Sequence, residues 1–107
     1  MKHGPITLID KELPVVAISP KGRVRDKMLS NMLEVKARQG KIIGIITEGD
    51  SDLIEVCHKT ISVPFAEEHL STMLVPLPLQ LLAYYIAANK GCDVDKPRNL
   101  AKSVTVE

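Results

Sequence analysis

The fold of this chain is decided by Pro14-Val15-Val16-Ala17-Ile18-Ser19 and by Ile42-Ile43-Gly44-Ile45-Ile46. Both stretches are short and rich in β-branched residues, which is typical of β-strands. Their hydrophobicity is continuous instead of alternating, a pattern of parallel sheets whose two faces are both covered by helices. We therefore expect two parallel strands, each buried on both faces.

The segment between these strands has the pattern of an amphipathic helix. Its apolar residues recur at helical spacing from about residue 24 to residue 39, and Gly40 predicts the end of the helix. The apolar stripe consists of Val24, Met28, Leu29, Met32, Leu33 and Val35. A strand, a helix and a second strand in this order predict a right-handed parallel crossover.

The rest of the chain continues in the same manner. The polar segment 47–52 is suited to capping a short helix over residues 53–57, and residues 60–63 predict a third strand. A short helix is expected before Pro76, and a longer one from about Pro78 to Asn89, with Gly91 as its stop. The predicted fold class is α/β: an incomplete doubly wound parallel sheet of three strands and two main helices. We assign residues 1–91 to this partial domain and residues 92–107 to an extended C-terminal tail.

Composition limits the classes of function. The 107 residues are 45% hydrophobic and carry a formal net charge of +1, so neither nucleic acid nor an acidic membrane is an expected partner. No apolar run approaches the length of a membrane span. Cys57 and Cys92 lack metal-ligand spacing, and we expect reduced thiols in the cytoplasm. His58 and His69 have no third ligand nearby and are expected at the surface, not in a metal site.

The two most informative residues lie near the ends of the chain. Lys102 is the one charged residue in the run from Asn99 to Val106, so it is either a solvated terminal lysine or an amine presented to a ligand. His3 is a lone histidine, and such residues are usually structural or solvated. The residues alone leave both alternatives open.

Three motifs in the same order resemble one family. They are Lys2-His3-Gly4-Pro5-Ile6 with Leu8-Ile9-Asp10, then Pro78-Leu79-Gln80-Leu81-Leu82-Ala83-Tyr84, and finally the segment from Asp93 to Glu107. Together they are similar to the glutamine–fructose-6-phosphate aminotransferase (isomerizing) family, also called glucosamine-6-phosphate synthase. The resemblance covers the whole chain, but it corresponds only to the later part of the second sugar-isomerase (SIS) domain, a flavodoxin-like fold.

The resemblance implies roles for individual residues. Lys102 would form an imine with C2 of fructose 6-phosphate, since a neutral lysine amine attacks a ketone. His3 would open the sugar ring, in the site of the neighbouring subunit of a homodimer. Asn99, Leu100 and Ala101 would shape the substrate site. For Arg98 three alternatives stay open: contact with a phosphate, pairing with the carboxylate of Glu107, or solvation.

The resemblance also implies what lies elsewhere in the parent enzyme. The glutaminase domain, the phosphate-binding loop and the glutamate that moves a proton between C1 and C2 all precede this segment in the family. We therefore expect the chain by itself to be inactive, to need no cofactor, and to self-associate through the strand edge that an incomplete sheet exposes. Two other hypotheses stay open: a non-catalytic SIS module that binds a phosphosugar, and a fragment that only self-associates.

Overall fold

The structure, a computed structural model, describes residues 4–96. A 3₁₀-helix at Pro5–Leu8 precedes three strands and four helices. These are β1 Pro14–Ser19, α1 Arg25–Ala37, β2 Lys41–Thr47, α2 Ser51–Val56, β3 Lys59–Val63, α3 Glu68–Leu74 and α4 Pro76–Asn89. The chain divides into two compact units, the first running to Val75 and the second beginning at Pro76.

The first unit is built on a parallel sheet with strand order β1-β2-β3. Ala17 of β1 lies beside Gly44 of β2, and Ile45 of β2 lies beside Ile61 of β3. The predicted strands are therefore confirmed, with β1 at the predicted bounds and the other two extended by one residue at one or both ends. The α/β fold class is confirmed as well.

The core lies on the face of the sheet that α1 and α2 cover. Its fully enclosed side chains are aliphatic, and the cluster consists of Ala17, Met32, Val35, Ile42, Ile46, Leu53 and Val56. Gly44 belongs to this face because a Cβ at its position would collide with the Cys57 sulfur. The glycine thus lets the segment after α2 approach the central strand closely.

The prediction that β1 is buried on both faces was wrong. Val16 and Ile18 are 41% and 38% exposed, whereas Ile42, Ile45 and Ile46 of β2 are 0% exposed. The difference follows from position, because β2 has a strand on each side, whereas β1 pairs only with β2 within the described part of the chain. Continuous hydrophobicity correctly indicated a strand, but it did not reveal which neighbours that strand has.

Helix α1 also departs from its prediction. Met32 and Val35 are buried, but Leu33 and Val24 are largely exposed, so the buried stripe is narrower than the apolar pattern. The helix ends in a Schellman motif whose left-handed residue is Gln39, with φ 61°, and not Gly40. Gly40 serves packing instead, because a Cβ there would lie 2.5 Å from Ile9 Cγ2.

Helix α4 forms the main part of the second unit. It begins at Pro76, two residues before the predicted start, and both prolines are tolerated because they fall in the first turn, where backbone N–H groups have no helical partner. Gly91 ends it as predicted, with φ 72° and a Schellman pair of hydrogen bonds. Among the described residues, α4 buries none of its own.

The segment Glu68–Asn89 is long and apolar enough, by length and composition alone, to cross a membrane. Its 22 residues include a window with a mean hydropathy of 1.5. The expectation that no run approaches this length is wrong on this measure, because scattered polar residues and prolines interrupt the run without lowering its mean much. A helix that is buried against another protein surface passes the same test of length and hydropathy.

Candidate functional site

The six residues assigned to the site lie outside the described residues. They are His3, Arg98, Asn99, Leu100, Ala101 and Lys102. Their roles remain predictions from the resemblance. The structure describes the segments that adjoin them and the polar end of the sheet in the first unit.

The residues directly after His3 form an anchored turn. The backbone N–H and the hydroxyl of Thr7 both donate to the carbonyl oxygen of Gly4, at 2.9 and 2.7 Å. Pro5 fixes the start of the 3₁₀-helix, and Ile6 is buried in the first unit. This short helix therefore ties the chain down two to five residues beyond His3.

The segment that leads into the tail also has a defined turn. The Asp93 carboxylate accepts hydrogen bonds from the backbone N–H groups of Asp95 and Lys96, at 3.0 and 3.1 Å. This is an Asx-turn, in which a short side chain replaces a backbone acceptor. Sequence reasoning assigned no role to Asp93, although an aspartate two residues before the turn donor is the usual signal.

A polar cavity of about 450 Å³ opens at the carboxyl ends of β1 and β2. Ligands of doubly wound domains bind at this end of the sheet. The cavity is lined by Lys21, Gly22, Arg25, Asp26, Thr47, Glu48, Gly49, Asp50, Ser51 and Asp52. Its position makes it the natural place to look for a site within the first unit.

Arg25 dominates this cavity. Its Nε donates to Asp50 at 2.9 Å, its Nη2 donates to Asp52 at 2.9 Å, and its Nη1 donates to Asp26 at 3.1 Å. These bonds, that to Asp50 above all, raise the pKa of the guanidinium above its ordinary value. The same bond to Arg25 lowers the pKa of Asp50, in spite of partial burial. Arg25 thus joins the start of α1 to the loop between β2 and α2.

Residues of the loop between β2 and α2 make hydrogen bonds that hold the fold together. Asp50 caps α2 by accepting from the Leu53 N–H, which confirms the capping prediction. The Thr47 hydroxyl accepts from the Lys21 N–H at 2.7 Å. Two cationic side chains and four carboxylates line the cavity, so its charge does not favour a phosphate. In residues 4–96 no group of three or more His, Cys, Asp or Glu side chains is arranged so that it could hold a metal ion.

The described histidines and cysteines are not grouped into a site. His58 and His69 are exposed, as predicted, and the Nδ1 of His58 accepts a hydrogen bond from the Ile42 N–H at 3.2 Å. Cys57 and Cys92 are free thiols, and burial raises the pKa of Cys57. A thiol with a raised pKa is a poor nucleophile.

Comparison with known proteins gives the family. The SIS domain model matches residues 1–90. The chain belongs to the SIS domain family. A solved structure titled as the C-terminal domain of glucosamine-fructose-6-phosphate aminotransferase from Francisella tularensis superimposes with a TM-score of 0.81 and 36% identity, over 89% of this chain and 27% of that one.

Two curated relatives of this SIS domain share one protein name. The proteins from Bacteroides thetaiotaomicron and Thermus thermophilus, both named glutamine–fructose-6-phosphate aminotransferase (isomerizing), are 53% and 55% identical over all 107 residues. The chain covers 17% and 18% of their lengths. This SIS domain is therefore homologous to the C-terminal isomerase part of such enzymes and spans less than a fifth of them.

Proposed function

We propose that this chain is the C-terminal part of the isomerase half of a glutamine–fructose-6-phosphate aminotransferase. That enzyme forms glucosamine 6-phosphate and glutamate from fructose 6-phosphate and glutamine, a step of hexosamine synthesis. The observation that carries the proposal is the match to relatives of this name along all 107 residues, through the positions of both His3 and Lys102.

Lys102 and His3 have complementary roles in this proposal. His3 moves a proton between the ring oxygen and the anomeric hydroxyl, which exposes the ketone of the open-chain sugar. The neutral amine of Lys102 then attacks C2, and water leaves as the imine forms. Arg98, Asn99, Leu100 and Ala101 position the sugar. Phosphate recognition is assigned to another domain, in agreement with the carboxylate-rich cavity at this sheet edge.

The proposal extends to assembly and location. The parent enzyme is a homodimer in the cytoplasm, in which Lys102 of one subunit and His3 of the other serve the same site. Helix α4 is covered by protein and not by a membrane, because the match to aminotransferases runs through it. The parent enzyme needs no cofactor.

A chimera tests the function. The segment of the Thermus thermophilus relative that matches this chain, 55% identical over 107 residues, would be replaced by this chain. We expect glucosamine 6-phosphate formation from fructose 6-phosphate and glutamine, and a radioactive adduct with labelled fructose 6-phosphate after borohydride reduction. Lys102→Arg should abolish the adduct while leaving a folded dimer. A chimera that binds the sugar phosphate without forming product or adduct would favour the non-catalytic alternative.

Subunit mixing tests the shared site. Lys102→Ala and His3→Ala chimeras should each be inactive as homodimers. After exchange, a heterodimer contains one site with both residues and one with neither, because a two-fold interface exchanges residues reciprocally. About a quarter of the unmodified activity should return, since random exchange makes about half of the dimers mixed. No recovery after verified exchange would refute the shared site without affecting the adduct test.

A further inference from the structure

The segment between His3 and β1 is held against the first unit at two points. Ile6 is buried, and Ile9 packs against the hydrophobic core. The N–H of Ile9 donates to the carbonyl oxygen of Ile6 at 3.3 Å, so a closed turn joins the two anchoring residues. Leu8, between them, is 70% exposed. Ile6 and Ile9 therefore fix the position of this turn.

Ile9 makes its contact with a residue that is distant along the chain. Gly40 is buried and directly precedes β2. A Cβ at its position would lie 2.5 Å from Ile9 Cγ2 and 2.8 Å from Val35 Cγ1. Both separations are shorter than van der Waals contact between carbon atoms. Only a glycine at position 40 therefore leaves room for the Ile9 side chain where it lies.

Short hydrogen bonds close both ends of the segment. The hydroxyl and the N–H of Thr7 donate to the carbonyl oxygen of Gly4. The Asp10 carboxylate accepts from two backbone N–H groups that follow it, each at 2.8 Å. These turns leave the backbone between Gly4 and β1 little conformational freedom. A displacement of Ile9 therefore moves Gly4 as well, and His3 is the residue directly before Gly4.

We propose that Ile9 and Gly40 are positioning residues for His3, because the Ile9 side chain, packed on Gly40, sets where the chain places the imidazole. In this role neither residue contacts the sugar. The inference rests on the proposed function, in which His3 opens the sugar ring in the site of the neighbouring subunit. Proton transfer requires the imidazole within hydrogen-bond reach of the ring oxygen, and a shift of about 1 Å can cost about a hundredfold in rate.

Variants of the chimera test the contact. Ile9→Ala removes the atom that lies nearest to Gly40, Cγ2, whereas Ile9→Val keeps it. We expect kcat with fructose 6-phosphate to fall about tenfold or more in Ile9→Ala and less than about threefold in Ile9→Val. Gly40→Ala should resemble Ile9→Ala, because its methyl group displaces the same side chain, and it provides the same test if Ile9→Ala does not fold. KM should change less than about threefold, since the turn does not hold the sugar.

Gly44→Ala is the matched control for a loss of stability. Its methyl group would collide with the Cys57 sulfur in the same unit, but it would not meet the segment that follows His3. At a temperature at which the chimera stays folded, it should change kcat less than about twofold. A loss of kcat in Gly44→Ala as large as that in Gly40→Ala would mean that activity follows stability, and would overturn the proposal.

Subunit mixing identifies the site residue through which the Ile9→Ala defect acts. Mixed with Lys102→Ala subunits, Ile9→Ala should give about a quarter of the unmodified activity, because one site of each heterodimer then combines an intact Lys102 with an undisturbed His3. Mixed with His3→Ala subunits, it should give no recovery. Every site of that heterodimer has either no imidazole or a displaced one.

The other outcomes contradict the proposal. An unchanged kcat in Ile9→Ala, recovery with His3→Ala subunits, or no recovery with Lys102→Ala subunits would each overturn it, because the defect would then not act through His3. The reference pair of Lys102→Ala and His3→Ala separates these results from a failure of the proposed function. An inactive unmodified chimera would refute that function, and no recovery in the reference pair would refute the shared site. Either of these two results would remove the inference as well.

Discussion

The first unit and helix α4 are both rich in aliphatic residues, but only the first unit buries them. Ile46 and Leu53 have no exposed surface, whereas Leu81 and Tyr85 are more than half exposed. The first unit supplies two layers, a sheet and the helices α1 and α2 that cover one of its faces. Among the described residues of the second unit, α4 has no such second layer. Burial therefore depends on a covering surface, which an apolar sequence requires but does not supply.

The largest expected effect is a loss of core packing in the first unit. Leu53→Ala should lower the free energy of unfolding by about 2–5 kcal/mol, because it removes fully buried methyl groups and leaves a cavity. Urea denaturation followed by circular dichroism measures it. A loss below about 1 kcal/mol would mean that the core of this unit is not the one described.

The next effect tests the close approach at Gly44. Gly44→Ala should cost about 1–3 kcal/mol, since the new methyl group would collide with the Cys57 sulfur. The double variant Gly44→Ala/Cys57→Ala should recover much of that loss, because the colliding sulfur is gone. Gly22→Ala is the control, as nothing lies within 4 Å of its added Cβ. Additive losses in the double variant would contradict the contact.

A pH titration tests the Arg25 cluster. The pKa of Asp50 is lowered in the folded state, so its contribution to stability is present above the unfolded pKa of about 3.9 and is lost as pH falls through the folded pKa. Asp50→Asn keeps an N-cap residue but removes this charge, and the variant should lose less stability below pH 4 than the unmodified chain. Asp26→Asn, at a carboxylate that is 90% exposed, should leave the acid dependence nearly unchanged. Equal acid profiles for the unmodified chain and Asp50→Asn would contradict the assignment.

The smallest effect lies in α4. Leu81→Ala should change the unfolding free energy of the isolated chain by less than about 0.5 kcal/mol, because the side chain is 58% exposed. In the full-length chimera, where we propose that protein covers α4, the same substitution should cost about 2 kcal/mol or more. Equal, small effects of Leu81→Ala in both proteins would contradict the proposal that α4 is exposed here because its covering protein surface is missing.

The local pattern predicted most of the fold. Runs such as Ile42–Ile46 placed all three strands because β-branched, uncharged stretches between turn residues leave few other interpretations. Exposure of β1 was not predictable, since it depends on which strand lies next to it. The left-handed Gln39 was also missed, because glycine is the usual residue there and the adjacent Gly40 offered a simpler interpretation.

The candidate site was less accessible to sequence reasoning. Arg25 bonds to Asp50 and Asp52, which lie 25 and 27 positions later in the chain. No local pattern in the sequence indicates such a pairing. The roles of Lys102 and His3 came from resemblance, because a lone lysine or histidine has many ordinary explanations. Residue type and spacing alone would have left both as surface residues.

The parallel register has a consequence for how the chain folds. Pro14 pairs with Lys41, 27 residues later, whereas Ile43 pairs with Lys59, 16 residues later. Closing the longer loop costs about 0.5 kcal/mol more conformational entropy. We expect β2 and β3 to nucleate first and β1 to join afterwards. During synthesis β1 would then emerge before β2 and β3 but pair last of the three, so its backbone groups would stay unpaired longer than theirs and open to a chaperone or to another nascent chain.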